Sequence, residues 1–261
     1  KKYLKGKINF KKNIFLKKIF PKKRILLVRD LKLNKYIELP YDKVFLSAGP
    51  IETAKIILNS FNNIKKINIK ETQHFFSFIT TKKKLKTRFF DLNFDKYKFS
   101  CQLYSIKNIF NVFFKKKLNL DKNNFYLGQC YLNSDLSGHI SVIKKKNKFR
   151  IVGVKNNIFN KDLLLRKINK FNKNNNYLKI KRLIFNSIGS SNHLGASIPM
   201  ANKKQKSKLH VNKYGELNLA KNIFVCDSSV LNEIDITPIT LFSMNNILGM
   251  ILNNNKLHDK N

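Results

Sequence analysis

Between residues 71 and 185 the chain returns repeatedly to short runs of aromatic and β-branched residues: "FFSFITT", "TRFFDLNF", "KFSCQLYSI", "FYLGQCYL", "GHISVIKK" and "FRIVGV". Such side chains fit the pleated, half-buried surface of a strand. Their succession, broken by polar and charged residues, constrains this stretch to a mainly antiparallel sheet. The segment "KKKNK" at 144–148 reads as a hairpin tip. One helix is expected here, over "NKDLLLRKINKFNK" at 160–173.

The flanks have a different character. "RILLVRD" (24–30), "KYIELP" (35–40) and "KVFLSAG" (43–49) read as strands, and "GPIETAKIILNS" (49–60) reads as a glycine turn entering a helix. Pro50 suits the first helical position, Glu52 suits the positive helix start, and Ile51, Ala54, Ile57 and Leu58 share one face. From residue 186, "FNSIGSSNHLGASIPM" is rich in small residues and predicts a loop. "HVNKYGELNLAKNIFVCDSSV" predicts a short hairpin and then a buried strand, Ile223 to Cys226, ending at Asp227. "TPITLFSMNNILGMILNN" predicts a terminal helix capped by Thr237 with Pro238 as its first residue. Leu241, Met244, Leu248 and Ile251 fall on one face of it and are expected to pack in the core. The fold class that follows is α/β (α+β), with a mainly antiparallel stretch at 71–185 between strand–turn–helix segments on either side.

Composition bounds the function less tightly. The 261 residues are 43% hydrophobic, enough for a core, so wholesale disorder is not expected. The net charge of +38 arises from 53 Lys+Arg against 15 Asp+Glu. An acidic partner would explain it. So would an AT-rich coding sequence, because Lys is accompanied by many Asn, Ile and Phe and by few Gly, Pro and Ala. "KTRFFDLNFDKYKF" (86–99) interleaves aromatics with lysines and carries the polyanion-binding alternative. Nucleic acid is nonetheless the less favoured partner. The lysine runs at 82–84, 115–117 and 144–146 read more simply as solvated strand ends.

Cys101, Cys130 and Cys226 are distant from one another and form no C-x-x-C pair, so neither a zinc ribbon nor a disulfide scaffold is indicated. Free thiols suit a reducing compartment, which points to the cytoplasm. No metal-ligand spacing links the five histidines. No apolar run reaches the roughly 18 residues of a membrane span. The basic start of the chain lacks the continuous apolar region and cleavage site of a signal peptide. Residue 1 is Lys rather than Met, which reads as a processed product, an excised piece or a partial reading.

Three segments call for a common explanation: strand–"AGP"–helix, the His193 loop, and strand–"DSS"–"TPIT"–helix. Strand ends followed by helix starts are where α/β folds receive anionic cofactors. A histidine loop beside them supplies a proton acceptor. Taken singly, His193 also reads as a hydrogen-bonded loop histidine, Asp227 as a turn cap, and Gly49–Pro50 as an ordinary strand-to-helix turn.

Together the segments resemble the glucose–methanol–choline (GMC) oxidoreductases, which use FAD. "YDKVFLSAGPIETAKIILNS" (41–60) is similar to that family's "VxLAAG-xxT-x-x-LLxxS" segment. "HLGASIPM" (193–200) is similar to its H-x-x-G-[ST]-x-x-M loop, with His193, Ser197 and Met200 in register. "NIFVCDSSVLNEIDITPITLFSMNN" (222–246) is similar to its C-terminal segment. More weakly, "FYLGQCYLNSDLSGHI" resembles bacterial members linked to saccharide metabolism. The resemblance spans the chain and would correspond to the C-terminal half to two-thirds of a family member; it implies that 1–70 and 186–261 are two pieces of a partial FAD-binding, Rossmann-like domain, with a mainly antiparallel β substrate domain inserted at 71–185.

It implies an FAD-dependent enzyme acting on the CH–OH group of an alcohol, a sugar among the candidates. His193 would take the hydroxyl proton while hydride passes to flavin N5. Gly49, Asp227 and Ser228 would lie along the cofactor, and Pro238 and Ile239 would aim the dipole of the terminal helix at the flavin. Thr237 stands where the family has a second catalytic His or Asn; it can hydrogen-bond an alcohol but is a poor base. Ala196 replaces the usual loop glycine. No G-x-G-x-x-G occurs anywhere in the sequence, so the chain as it stands is not expected to grip FAD tightly. Three explanations stand open: a first part missing from this chain, a separate chain that supplies it, or an inactive remnant.

Overall fold

The structure, a computed structural model, describes residues 8–83, 89–94, 98–105, 124–157, 161–201, 208–237 and 239–258. Lys84, Lys115–Lys117, Pro238 and the flanks 86–88 and 95–97 of the lysine–aromatic segment lie outside the described residues.

The chain opens with an antiparallel sheet of β1 (Ile14–Phe20), β2 (Ile25–Asp30) and β3 (Lys35–Pro40). Next come β4 (Val44–Leu46), the turn at Gly49 and α1 (Pro50–Ser60). Gly49 sits at φ 81°, a conformation that costs glycine nothing and strains other residues. Pro50 begins the helix as expected, and Thr53, Ala54, Ile56, Ile57 and Leu58 are buried. β4 pairs in parallel with β14 (Ile223–Val225), the last strand among the described residues.

Two further sheets are antiparallel. One has the order β11–β10–β5–β13, from β5 (Lys66–Glu71), β10 (His139–Lys145), β11 (Lys148–Val154) and β13 (Leu194–Gly195). The other has the order β12–β6–β9–β8–β7, from β6 (His74–Thr81), β7 (Phe89–Phe94), β8 (Phe99–Ser105), β9 (Phe125–Leu132) and β12 (Leu178–Phe185). Helix α2 (Lys161–Asn174) covers this second sheet with Leu164 and Ile168. The expected mixed α+β fold, mainly antiparallel, is the fold observed.

Two apolar cores result. Ala54, Ile57 and Leu58 of α1 pack with Val44, Leu46, Ile223, Val225, Ile67, Ile69, Ile140 and Val142. The second core joins Phe75, Phe99, Leu103 and Leu132 to Leu164, Ile168 and Ile180. The hairpin β10–β11 falls within 71–185 in sequence, yet it pairs with β5 and contributes to the core of α1. Its tip is at Lys146–Asn147, where the lysine run placed it. Phe94 and Phe99 of the lysine–aromatic segment are buried against each other, centroids 4.5 Å apart, so they serve the core rather than a surface platform.

The terminal helix departs from expectation. Helix α3 (Ile239–His258) forms, but Leu241, Met244, Leu248 and Ile251 are all at least half exposed. The inward stripe is Ser243, Asn246, Ile247 and Met250, with Met250 buried against Gly215. This helix is apolar on more than one side, so periodicity alone did not say which stripe faces the core.

Candidate functional site

The site forms where the three singled-out segments meet. β4 and β14 lie side by side, so the turns that follow them are neighbours. The Asp227 carboxylate bridges these turns: Oδ2 accepts the Gly49 N–H at 3.0 Å and the Thr53 hydroxyl at 2.6 Å, while Oδ1 accepts the Ser229 N–H at 2.8 Å. Asp227 thus caps the 3₁₀ turn Ser228–Val230 and ties it to the N-cap residue and first turn of α1.

The histidine loop runs along that turn. Ala196, Ile198 and Met200 donate their N–H groups to Ser228, Ser229 and Val230 carbonyls at 2.9–3.0 Å, and the Ser228 hydroxyl donates to the Leu194 carbonyl at 2.7 Å. A Cβ on Gly195 would meet the Ser228 carbonyl oxygen at 2.5 Å, so only glycine allows this approach. Ala196, which takes the place of the family's loop glycine, adopts φ 52°.

His193 is fixed through its backbone and its ring. Its N–H donates to Ser191 Oγ at 3.1 Å, and its carbonyl accepts the Thr72 N–H at 3.2 Å. The imidazole stacks on Tyr131, centroids 4.5 Å apart and planes 15° apart. Nδ1 of His193 is buried with no partner among the described residues. Burial lowers the imidazole pKa below the usual histidine value, which keeps the ring neutral and able to accept a proton near pH 7.

The loop before it hangs on Glu71, a fully buried carboxylate that accepts the Gly189 N–H through both oxygens at 2.8 and 2.9 Å. Burial raises the Glu71 pKa, opposed by hydrogen bonds from the Gly189 and Ser191 backbone. The strap 234–237 crosses the end of the second sheet: Ser134 exchanges hydrogen bonds with Ile234, and Ser100 Oγ donates to the Ile236 carbonyl at 2.5 Å. It ends at Thr237, whose hydroxyl oxygen is buried without a partner among the described residues; Ile239 then opens α3.

The predicted residues therefore fall into two groups. Gly49, Asp227, Ser228 and the His193 loop are joined by direct hydrogen bonds. Thr237 enters separately, at the end of the strap held by Ser100 and Ser134, and Ile239 stands at the start of α3. Sequence reasoning gave no role to Thr53, although it stands at the threonine of the quoted helix segment, and missed Glu71, Tyr131 and His74. A motif reading gives the last three no weight, because they come from strands whose relation to residue 193 exists only in the fold.

FAD is the cofactor the sequence resemblance implies, and the site fits it in part. Space over Gly49 is open, with no heavy atom within 4 Å of where its Cβ would stand, and His193 Nδ1, Ser197 Oγ and Thr237 Oγ1 are unpartnered polar atoms among the described residues. The Gly49 N–H, the Asp227 carboxylate and the Ser228 hydroxyl are already engaged within the chain, so these groups shape a wall rather than offer free ligands.

No family model matches the chain, and no curated protein matches it in sequence. Among solved structures, pyridoxine 4-oxidase from Mesorbium loti is similar, with a TM-score of 0.56 and 11% identity over 93% of this chain and 57% of that one. The chain thus spans little more than half the length of that oxidase. At this identity the likeness is one of fold: a mixed α+β, mainly antiparallel architecture shared with an oxidase.

Proposed function

We propose that this chain is the substrate-facing part of an FAD-dependent, GMC-type oxidoreductase acting on the CH–OH group of an alcohol, a sugar hydroxyl among the candidates. The observation that carries the reading is His193: an imidazole held at its backbone by Ser191 and stacked on Tyr131, its buried Nδ1 without a partner among the described residues, at the head of the loop that runs along the turn after β14. The likeness to an oxidase fold supports it. Bound flavin would supply the hydride acceptor. The chain's own part is to take the hydroxyl proton on His193 and to orient the alcohol, for which Thr237 offers a hydroxyl. General-base action of this kind is worth about 100- to 10,000-fold in rate.

The dinucleotide grip would come from polypeptide outside residues 1–261, as a separate chain or an adjoining segment. Its place is the outer edge of β4. The Val44 N–H donates to Asn222 and the Leu46 carbonyl accepts from Cys226, so alternation turns the Phe45 N–H and C=O away from β14. The Phe45 ring is 60% exposed. Parallel sheets are ordinarily buried on both faces and wider than two strands. A strand added at Phe45 and a helix laid on the outward face of α3 would give both surfaces a partner. Three free cysteines suit residence in the cytoplasm.

The test is reconstitution of the chain with a dinucleotide-binding segment and FAD, followed by steady-state oxidation of an alcohol panel. His193→Asn should lose about 100- to 10,000-fold in kcat while keeping the flavin spectrum. Full activity in that variant overturns the role of His193. Phe45→Asp should abolish flavin retention, and retention at the wild-type level overturns the docking edge.

A further inference from the structure

Three aromatic rings meet where β6, β9 and the histidine loop converge. The Tyr131 phenol stacks on His193 at 4.5 Å and 15°, and on His74 at 5.1 Å and 13°. Tyr131 and His74 are directly opposed in the β6–β9 register, so sheet pairing itself delivers that contact. Gln129 Nε2 donates to the Tyr131 hydroxyl at 2.6 Å from two residues back on the same strand face. His74 is anchored in turn: its Nδ1 lies 3.1 Å from Asn186 Nδ2, and the Phe76 ring tilts against it at 4.6 Å.

A histidine that takes a proton must hold one ring orientation throughout. The usual device is a carboxylate or carbonyl hydrogen-bonded to the second ring nitrogen. His193 has no such partner at Nδ1 among the described residues. Its backbone bonds to Ser191 and Thr72 fix where the ring starts but leave rotation of the side chain open. The flat face of Tyr131 lies against the ring plane.

We propose that Tyr131 is the positioning residue of His193, acting by ring stacking rather than through its hydroxyl, with His74 as the second ring that stiffens it. The catalytic consequence rests on the reading of His193 as proton acceptor; the positioning itself does not.

The experiment reads the two separately. In the chain labelled at histidine, the His193 ring-proton resonances, identified by their loss in His193→Asn, should be displaced upfield by the Tyr131 ring. They should keep that displacement in Tyr131→Phe and lose it in Tyr131→Leu. Cross-relaxation between the Tyr131 and His193 rings in the unmutated protein gives the same answer should Tyr131→Leu fail to fold. Undisplaced wild-type resonances, or absent cross-relaxation, overturn the proposal.

In the flavin-loaded protein, Tyr131→Leu should lower kcat roughly 10- to 100-fold with KM little changed, the scale of a misplaced reacting group. Tyr131→Phe should behave as wild type. Equal losses in both variants would assign the role to the hydroxyl and overturn stacking. Full activity in His193→Asn, with the ring shifts as expected, would instead sink the proton-acceptor reading and leave the positioning intact.

Discussion

Asp227 and Gly49 are joined by a hydrogen bond of 3.0 Å across 178 residues of chain. The same carboxylate takes the Thr53 hydroxyl and the Ser229 N–H, so one side chain ties the first strand–helix unit to the last strand. In Asp227→Ala three donors lose their acceptor at a half-buried place. We expect a loss of about 3 kcal/mol, as for charged hydrogen bonds and a helix cap removed together. Urea unfolding checks this, and a change under about 0.5 kcal/mol would contradict the bridging role.

The neighbouring residues Gly195 and Ala196 should respond in opposite directions. Gly195→Ala drives a Cβ against the Ser228 backbone oxygen, which has no rotamer to escape into, and should cost about 2 kcal/mol or more. Ala196→Gly relieves a left-handed φ of 52° and should stabilise by up to about 1 kcal/mol after the larger freedom of the unfolded glycine is counted. Paired denaturation curves decide both.

Stability should fall on acidification from neutral pH, and His74 and His193 should supply part of the fall. Burial lowers the pKa of each, and His193 adds to the lowering at His74. The unfolded chain therefore binds protons first. The contribution is complete above the unfolded histidine value and drains away as pH drops through the folded values. His139, lowered by burial and by Lys66, acts in the same sense. Glu71, raised by burial, acts in the opposite one: its contribution is present at low pH and fades as pH rises through its folded value. The double variant His74→Phe/His193→Phe should accordingly flatten, without abolishing, the decline in melting temperature between neutral pH and about pH 5. An unchanged slope would remove these two histidines from the account.

Thiol reactivity should sort by burial. Cys101 and Cys130 are each 1% exposed, their sulfurs 3.0 Å apart across β8 and β9. Cys226 is half-buried, with its pKa raised by burial and by Asp227. Iodoacetamide on the reduced, folded protein should modify Cys226 alone, slowly, and faster as pH rises. All three should react after unfolding. Labelling of Cys101 or Cys130 before unfolding would contradict the packing of the second core.

Much of this fold was legible because local chemistry and position agree. Gly49, Pro50 and the apolar face after them specify a turn and a helix by steric and capping rules alone, and α1 follows them. The strands of 71–185 were legible as strands but not as members of particular sheets. "GHISVIKK" and "FYLGQCYL" look alike, yet β10 pairs with β5 while β9 pairs with β6 and β8. Pairing is decided by which edge is free when the chain arrives, a tertiary matter. The strand "KINIKE" alternates with the period of two but carries too many lysines to stand out. At the site, the motif residues were legible and their supports were not. His74 reads as an ordinary strand residue until the register sets it opposite Tyr131. The outward stripe of α3 was misread because apolar periodicity cannot tell a core from a surface that another polypeptide could cover.

The parallel pairing of Val44 with Ile223 also carries a temporal consequence. At translation rates of about 5–20 residues per second, strand β4 waits roughly 10–35 s for its partner to be made. During that interval Phe45, Leu46 and the inner face of α1 have no β14 to cover them. Contacts this distant also slow folding once synthesis is complete, because the chain between them must be ordered first. The protein's exposure to misassociation is therefore concentrated before the segment around Ile223 appears, and a chaperone that shields the β4–α1 unit over that window should raise its yield more than one acting after β14 has paired.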